Sequence, residues 1–223
     1  APYLVPKARG GYRYGNAEIM DVIQHDGLFC ALEKELMGEG TERYAASADI
    51  DRTSQDEIAQ NSHARAAAAI ESGNLSDEIV QVEIPQRRGD PILFEHDEGV
   101  RPGTGIEGLQ KLRPAFSESG NITAGNASQI SDGGSAVVVT SRSVADQLSI
   151  QPLAELVSYG QVAGPDTSLL TQPSRAISDA LGSSGLSLSD IDLFEINEAF
   201  AAVSVASMAD LGIDDSVVNV NGG

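Results

Sequence analysis

Tryptophan is absent, and aromatic residues make up only 4% of the chain. That is too few rings for a platform that stacks single-stranded nucleic acid. Cysteine occurs once, as Cys30, which excludes an internal disulfide and a cysteine-rich zinc site. Lysine occurs only as Lys7, Lys34 and Lys111, and the 14 basic residues face 33 acidic ones, a net charge of −19. Such a chain repels DNA, RNA and anionic membrane surfaces, so neither nucleic acid nor membrane is expected as a partner. The longest apolar runs, such as Ala136–Val139, are far too short for a transmembrane helix. No basic-then-apolar leader opens the sequence, and a cytoplasmic protein is expected. His25, His63 and His96 are scattered, so no metal site is expected. Gly-x-Ser-x-Gly, His-Glu-x-x-His and Walker patterns are missing, and Gly103-Thr104-Gly105 is too short for a dinucleotide fingerprint.

What is present is a chain of 223 residues, 41% of them hydrophobic, with room for one large domain or two small ones. The acids are spread along the chain and read as a solvated surface. An acid-rich, lysine-poor surface suits a saline cytoplasm, where salt screens self-repulsion, and equally an ordinary acidic protein. Ala1-Pro2 at the start, and Asn221-Gly222-Gly223 directly after the β-type run Val217–Val220, lead us to expect a fragment.

Local patterns predict the elements. Pro2, Pro6, Gly10, Gly11 and Gly15 make Ala1–Asn16 an irregular loop, with Tyr3, Leu4, Tyr12 and Tyr14 too apolar for a free tail. Helical patterning follows over Ala17–Ala48, broken near Gly27 and Gly38, and places Cys30 in a helix as a buried thiol. The clearest helix is Gln55–Ser72: Ser54 and Glu57 form a capping box, Ile58, Ser62, Ala66, Ala69 and Ile70 share a face, and Gly73 ends it. His63, at the edge of that face, reads as a packed or half-exposed helix residue. Strands are expected at Glu78–Ile84 and Pro91–Glu95 around a turn holding Arg87 and Arg88, and a short helix at Gly105–Leu112. Asn121–Gly134 reads as a loop. From Ser135 onward strands (Ala136–Thr140, Leu153–Gly160, Asp192–Ile196, Val217–Val220) alternate with helices (Ser143–Leu148, Pro173–Leu181 ended by Gly182, Glu198–Leu211). That alternation predicts a layered α/β sheet.

The segment richest in chemistry is Glu195-Ile196-Asn197-Glu198-Ala199-Phe200-Ala201-Ala202. Asn197 falls where a strand meets a helix start, the end of an open α/β sheet at which ligands bind. Two readings of it stay open. Its carboxamide caps the helix, or it holds a water or an oxyanion without needing a proton.

Asn-Glu-Ala-Phe-Ala-Ala, with Val218-Asn219-Val220-Asn221-Gly222-Gly223 about twenty residues on, resembles the thiolase family, whose members are acetyl-CoA acetyltransferases and 3-ketoacyl-CoA thiolases. Further motifs keep the same order. Lys111-Leu112-Arg113-Pro114-Ala115-Phe116 is similar to the family's KLRPAF run. Thr123–Ser128 with Ser131–Ala136 is similar to its TAGNASGxxDGAAA loop. Asp77–Val80 and Arg88-Gly89-Asp90 fit the stretch before them.

The resemblance implies a partial thiolase-like α/β fold in three parts. Residues 1–129 would form a loop domain that binds CoA, 130–150 the end of the N-terminal half, and 151–223 the truncated start of the C-terminal half. It implies an acyltransferase that works through an acyl-cysteine, with CoA thioesters as substrates and no cofactor. Both catalytic cysteines and the catalytic histidine would lie outside this chain, and Cys30 matches neither cysteine, so the chain alone is expected to be inactive. Asn197 is then the one catalytic position present. Leu28, Met37, Arg101, Leu112, Phe116, Ala124, Gly125 and Ser128 are implied to line the CoA site, with Ala199 and Phe200 beside the pantetheine. Polyanionic CoA needs local cations. Arg87, Arg88, Arg101, Lys111 and Arg113 supply five of the 14 basic groups. A homo-oligomer, dimer or tetramer, is implied, with Ala1–Gly15 as the assembly loop. The sequence departs from the family at Leu36, where biosynthetic members carry histidine, and at Gly108, where a serine is common. Two other readings remain at this point: a non-catalytic CoA- or acyl-binding module, and an acidic interaction protein.

Overall fold

The computed structural model describes residues 1–223 and contains six short strands and six α-helices joined by turns. Three two-stranded antiparallel ladders lie in the first hundred residues: β1 (Tyr3–Leu4) with β2 (Met20–Asp21), β3 (Phe29–Cys30) with β4 (Glu35–Leu36), and β5 (Val82–Ile84) with β6 (Ile92–Phe94). Helices α1 (Met37–Ser47) and α2 (Arg52–Ser72) stand between the second and third ladders. Then follow α3 (Ile106–Leu109), α4 (Arg142–Leu148), α5 (Gln172–Ser184) and α6 (Ala201–Leu211).

The frame is helical. Helix α2 packs along α6, and α6 packs on α5. Ala45, Ile50, Leu170, Ala202 and Val203 form one buried core, with Tyr44 and Phe200 packed against it. Phe194, Ile196 and Val218 form a second, closed by Ile177 and Met208. The buried side of α6 is built of small residues, Ala201, Ala202, Ser204 and Ser207.

Gly38 is inside α1 and does not break it. A Cβ there would collide with the Phe116 ring, so the glycine is a seat for that side chain. Helix α1 begins with the Glu39 carboxylate accepting from the Leu36 N–H at 2.7 Å. The buried Glu42 accepts from the N–H groups of Asn121 and Ile122 and so ties α1 to the 121–128 loop.

Several expectations are corrected. Residues 17–36 are short strands around a π-helical turn at Ile23–Leu28, and Cys30 lies on β3, half-buried, rather than in a helix. The α2 cap is Asp51, whose Oδ1 accepts from the Ser54 N–H at 2.8 Å. Ser54 is thus the donor, and the helix starts at Arg52. Helix α5 runs through Gly182 to Gly185, the residue with the left-handed backbone that ends it. Helix α6 starts at Ala201, not Glu198.

The runs Ala136–Thr140 and Leu153–Gly160 form no strand. Val137, Val138 and Val139 are 87%, 97% and 81% exposed. A β-forming run becomes a strand only beside a partner that accepts its ladder, and no other part of residues 1–223 supplies one. Asp192–Ile196 and Val217–Val220 pair through a single parallel bridge, Phe194 with Val218. The surface reflects this openness: 15996 Å², against roughly 9,700 Å² for a closed fold of this mass.

Candidate active site

The centre of the site is the bridge between residues 194–196 and 218–219. The Phe194 N–H donates to the Val217 carbonyl at 2.8 Å, and the Asn219 N–H donates to the Phe194 carbonyl at 2.9 Å. Asn219 is 1% exposed and left-handed, with φ 47°. Its Oδ1 accepts from the Ile196 N–H at 2.7 Å. Its Nδ2 donates to the Ile196 carbonyl and to Glu198 Oε1, both at 2.8 Å. Between these pinned residues stands Asn197, exposed and with no hydrogen-bond partner in the chain. The residue at the α6 cap position is Phe200, without a side-chain cap bond, so Asn197 does not cap the helix.

The other side of the segment is held by the 121–128 loop. The Ala201 N–H donates to the Asn126 carbonyl at 2.9 Å, and the Ser128 N–H to the Ala199 carbonyl at 3.0 Å. Below the loop lies a buried polar network. Asp56, fully buried, accepts from Arg52 Nε at 2.7 Å and from Asn126 Nδ2 at 2.9 Å. Asn126 Oδ1 in turn accepts from the Thr123 N–H at 2.7 Å. The Arg52 guanidinium also donates to the carbonyls of Leu109 and Leu112.

These contacts bring most of the expected CoA residues into one patch. The Phe116 and Phe200 rings meet edge to face, 6.0 Å apart at 80°. Phe116 rests on Gly38, next to Met37. A Cβ on Gly125 would lie 2.6 Å from both Leu109 Cδ2 and Leu112 Cδ1, so Leu112 packs onto the turn that carries Ala124 and Gly125. Ala199, Phe200 and Ser128 join through the backbone bonds above. Leu28 stands apart, at the end of the 23–28 turn, which packs on β2 and β3. Met37 also borders a cleft of about 300 Å³ between the β3–β4 hairpin and residues 162–169. That cleft is tied by bonds from Tyr44 to Thr167 and from Thr167 to Glu33.

Arg101 lies on the turn after β6, exposed and outside every ion pair, as are Arg87, Arg88, Lys111 and Arg113. In a chain with 33 acids, these five unpaired cations leave positive charge available to a polyanion. The Arg101 N–H donates to His63 Nδ1 at 3.3 Å, which seats the turn on α2. Burial, and next the Arg101 charge, hold His63 below its ordinary 6.5, while Glu198 opposes them. Burial and the Glu198 charge push the Glu195 carboxyl above its ordinary 4.5.

A pH prediction arises from His63. Its folded pKa lies below the unfolded one, so the unfolded chain binds more protons in the interval between them. The stability that neutral His63 contributes is complete above pH 6.5, decreases as the pH drops below that value, and is gone below the folded pKa. His63→Gln should flatten this part of the profile. Thermal midpoints of the complete protein at about pH 7.5 and about pH 5.5 check it, these values bracketing the ordinary histidine range. Equal midpoint shifts in the parent and the variant would contradict the assignment.

Sequence reasoning missed the Asn219 bonds, the Asp56–Asn126 network and the His63–Arg101 contact. The Asn-Gly-Gly run signals a turn, but nothing local shows which distant backbone Asn219 will clasp. No three His, Cys, Asp or Glu side chains are grouped to hold a metal ion, and no helix is long and apolar enough to cross a membrane.

Comparison with known proteins decides the family. The family model described as "Thiolase, N-terminal domain" matches residues 1–143, and "Thiolase, C-terminal domain" matches residues 150–223. The chain belongs to the thiolase family. It is similar, at 49% identity over all its residues, to a probable acetyl-CoA acetyltransferase of Mycolicibacterium smegmatis, of which it spans 58%. It is 43% identical to the acetyl-CoA acetyltransferase of Chromobacterium violaceum, of which it spans 57%. Among solved structures, the Bacillus anthracis acetyl-CoA acetyltransferase superposes over the whole chain with a TM-score of 0.94 at 40% identity. Human mitochondrial 3-ketoacyl-CoA thiolase does so with 0.92 at 37%. The chain covers 56% of each of those structures. It therefore carries a thiolase fold in part, spanning a little over half the length of these relatives.

Proposed function

We propose that the complete protein carrying this chain is an acyl-CoA C-acyltransferase. It joins two molecules of acetyl-CoA by Claisen condensation, or cleaves a 3-ketoacyl-CoA with CoA in reverse. The observation that carries this reading is Asn197: an unpartnered, exposed carboxamide on a segment pinned at both ends, three residues before Phe200, whose ring meets Phe116. Acyl transfer to a cysteine and attack by an enolate both develop charge on a thioester oxygen. A carboxamide that holds a water against that oxygen stabilises it without changing its own protonation. The resemblance places the nucleophilic cysteine, the second cysteine and the histidine outside residues 1–223, so turnover is a property of the complete protein.

Residues 1–129 serve as the CoA-binding loop domain, 130–150 end the N-terminal half and 151–223 begin the C-terminal half. The patch of Met37, Leu112, Phe116, Ala124, Gly125, Ser128, Ala199 and Phe200 takes the pantetheine, and Leu28 stands apart from it. Arg101 and its neighbouring cations meet the phosphates. CoA thioesters are the substrates, and no cofactor is required. The protein acts in the cytoplasm as a dimer or tetramer, with Ala1–Gly15 at the assembly contact.

The CoA site is tested by calorimetry with CoA on the complete protein. Arg101→Ala should weaken binding by about 1–3 kcal/mol, the range for a charge-assisted contact. Unchanged affinity would make Arg101 a surface charge and remove the phosphate-binding role given to its turn.

A further inference from the structure

We infer that Asn219 is a positioning residue for Asn197, acting with Glu198 as a clamp that sets where the Asn197 carboxamide stands. The inference rests on the reading of Asn197 proposed above. Its geometric basis is independent of that reading.

Asn219 uses one carboxamide for three bonds: Oδ1 to the Ile196 N–H, and Nδ2 to the Ile196 carbonyl and to Glu198 Oε1. Ile196 is itself buried, so without Asn219 both its backbone groups would lie unsatisfied. The task needs a donor and an acceptor on one short side chain. It also needs a residue that tolerates the left-handed backbone, φ 47°. Asparagine meets both demands. Aspartate would set a second oxygen against the Ile196 carbonyl and the Glu198 carboxylate.

The clamp is itself anchored. The Val218 carbonyl accepts from Arg65 at 2.9 Å, and the Gly223 N–H donates to Ser62 Oγ at 3.1 Å, both residues on α2. Gly222, at φ 90°, lies so close to α2 that a Cβ would stand 2.8 Å from the Ser62 carbonyl. The segment carrying Asn197 is thus fixed from α2 at one end and from the 126–128 loop at the other. Asn197 is the residue between these anchors that spends none of its polar atoms on the fold.

The test is kinetic, on the complete enzyme with 3-ketoacyl-CoA and CoA. Asn219→Asp should lower kcat by about 10²-fold, the scale of a misplacement of about 1 Å, and leave the KM for CoA within about twofold. The loss should depend on pH. The carboxylate introduced by this substitution would face Glu198, with Glu195 on the same segment, His63 and Arg65 on α2, and Arg101 on its turn nearby. Two facing carboxylates share a proton more readily as the pH falls. The ratio of variant to parent activity should therefore rise toward acid pH. Adding Glu198→Gln to Asn219→Asp restores a bond of reversed polarity between the same two side chains. It should recover about tenfold of the loss, since one charge-assisted bond is regained.

If Asn219→Asp does not fold, Asn219→Gly, which suits the left-handed backbone, should fold and show the same fall in kcat. Full kcat in the glycine variant overturns the inference. So does a loss that follows only the folded fraction, with neither pH dependence nor rescue. A parent without thiolysis contradicts the proposed function and this inference with it, whereas an active parent with unrescued variants contradicts the inference alone.

Discussion

Asn197→Asp in the complete enzyme is expected to lower turnover by about 10²–10³-fold, the range for losing one oxyanion donor. The thermal midpoint and the affinity for CoA should stay close to those of the parent. The expectation combines two observations. Asn197 makes no bond that holds the fold, and the α6 cap position belongs to Phe200, so stability has no reason to change. Aspartate keeps the shape but places a negative charge where the proposed reaction develops one, on a segment that already carries Glu195 and Glu198. Asn197→Ala, which removes the donor without adding charge, should lose activity over the same range. Steady-state rates per folded enzyme check both, and full activity in the aspartate variant would return Asn197 to an ordinary surface residue.

Asp56→Ala is expected to produce the largest loss of stability, about 3–5 kcal/mol for removing one partner of a buried ion pair. Asp56 is fully buried, between Arg52 and Asn126. Its removal leaves the Arg52 guanidinium and the Asn126 amide without their acceptor. Arg52 keeps 20% of its side-chain surface open, so water partly replaces the lost partner and the lower end of the range is expected. The damage should spread to the site, because Asn126 holds Ala201, and its loop holds Ala199 through Ser128. Asp56→Asn keeps an acceptor and should cost less. Denaturant midpoints test the order; an unchanged midpoint in Asp56→Ala would show that the network does not hold the loop.

The legible parts of this molecule were those governed by neighbours a few residues away. Helix α2 ends at Gly73 because only a left-handed residue closes it, and glycine announces that position. The β5–β6 hairpin is visible from two β-forming runs around Arg88-Gly89-Asp90. Asn197 is recognisable as a residue between a strand and a helix. Its release from the helix was not, because Glu198 and Ala199 are drawn out of α6 by Asn219 and Ser128, both distant in sequence. The α2 cap fell three residues early for a related reason: Asp51 and Ser54 are both good caps, and their mutual bond decides which one serves. The valines of 136–140 read as a buried strand because their composition is that of one. Burial, however, depends on a partner strand, and the rest of residues 1–223 places none beside them.

Most direct for the central claim is the stoichiometry of thiolysis by the complete purified protein, followed by mass spectrometry. Acetoacetyl-CoA and CoA should be consumed one for one, with two acetyl-CoA formed and no added cofactor or metal. Failure to form acetyl-CoA from acetoacetyl-CoA, with the protein folded and CoA bound, would contradict the assignment of this chain to an acyl-CoA C-acyltransferase.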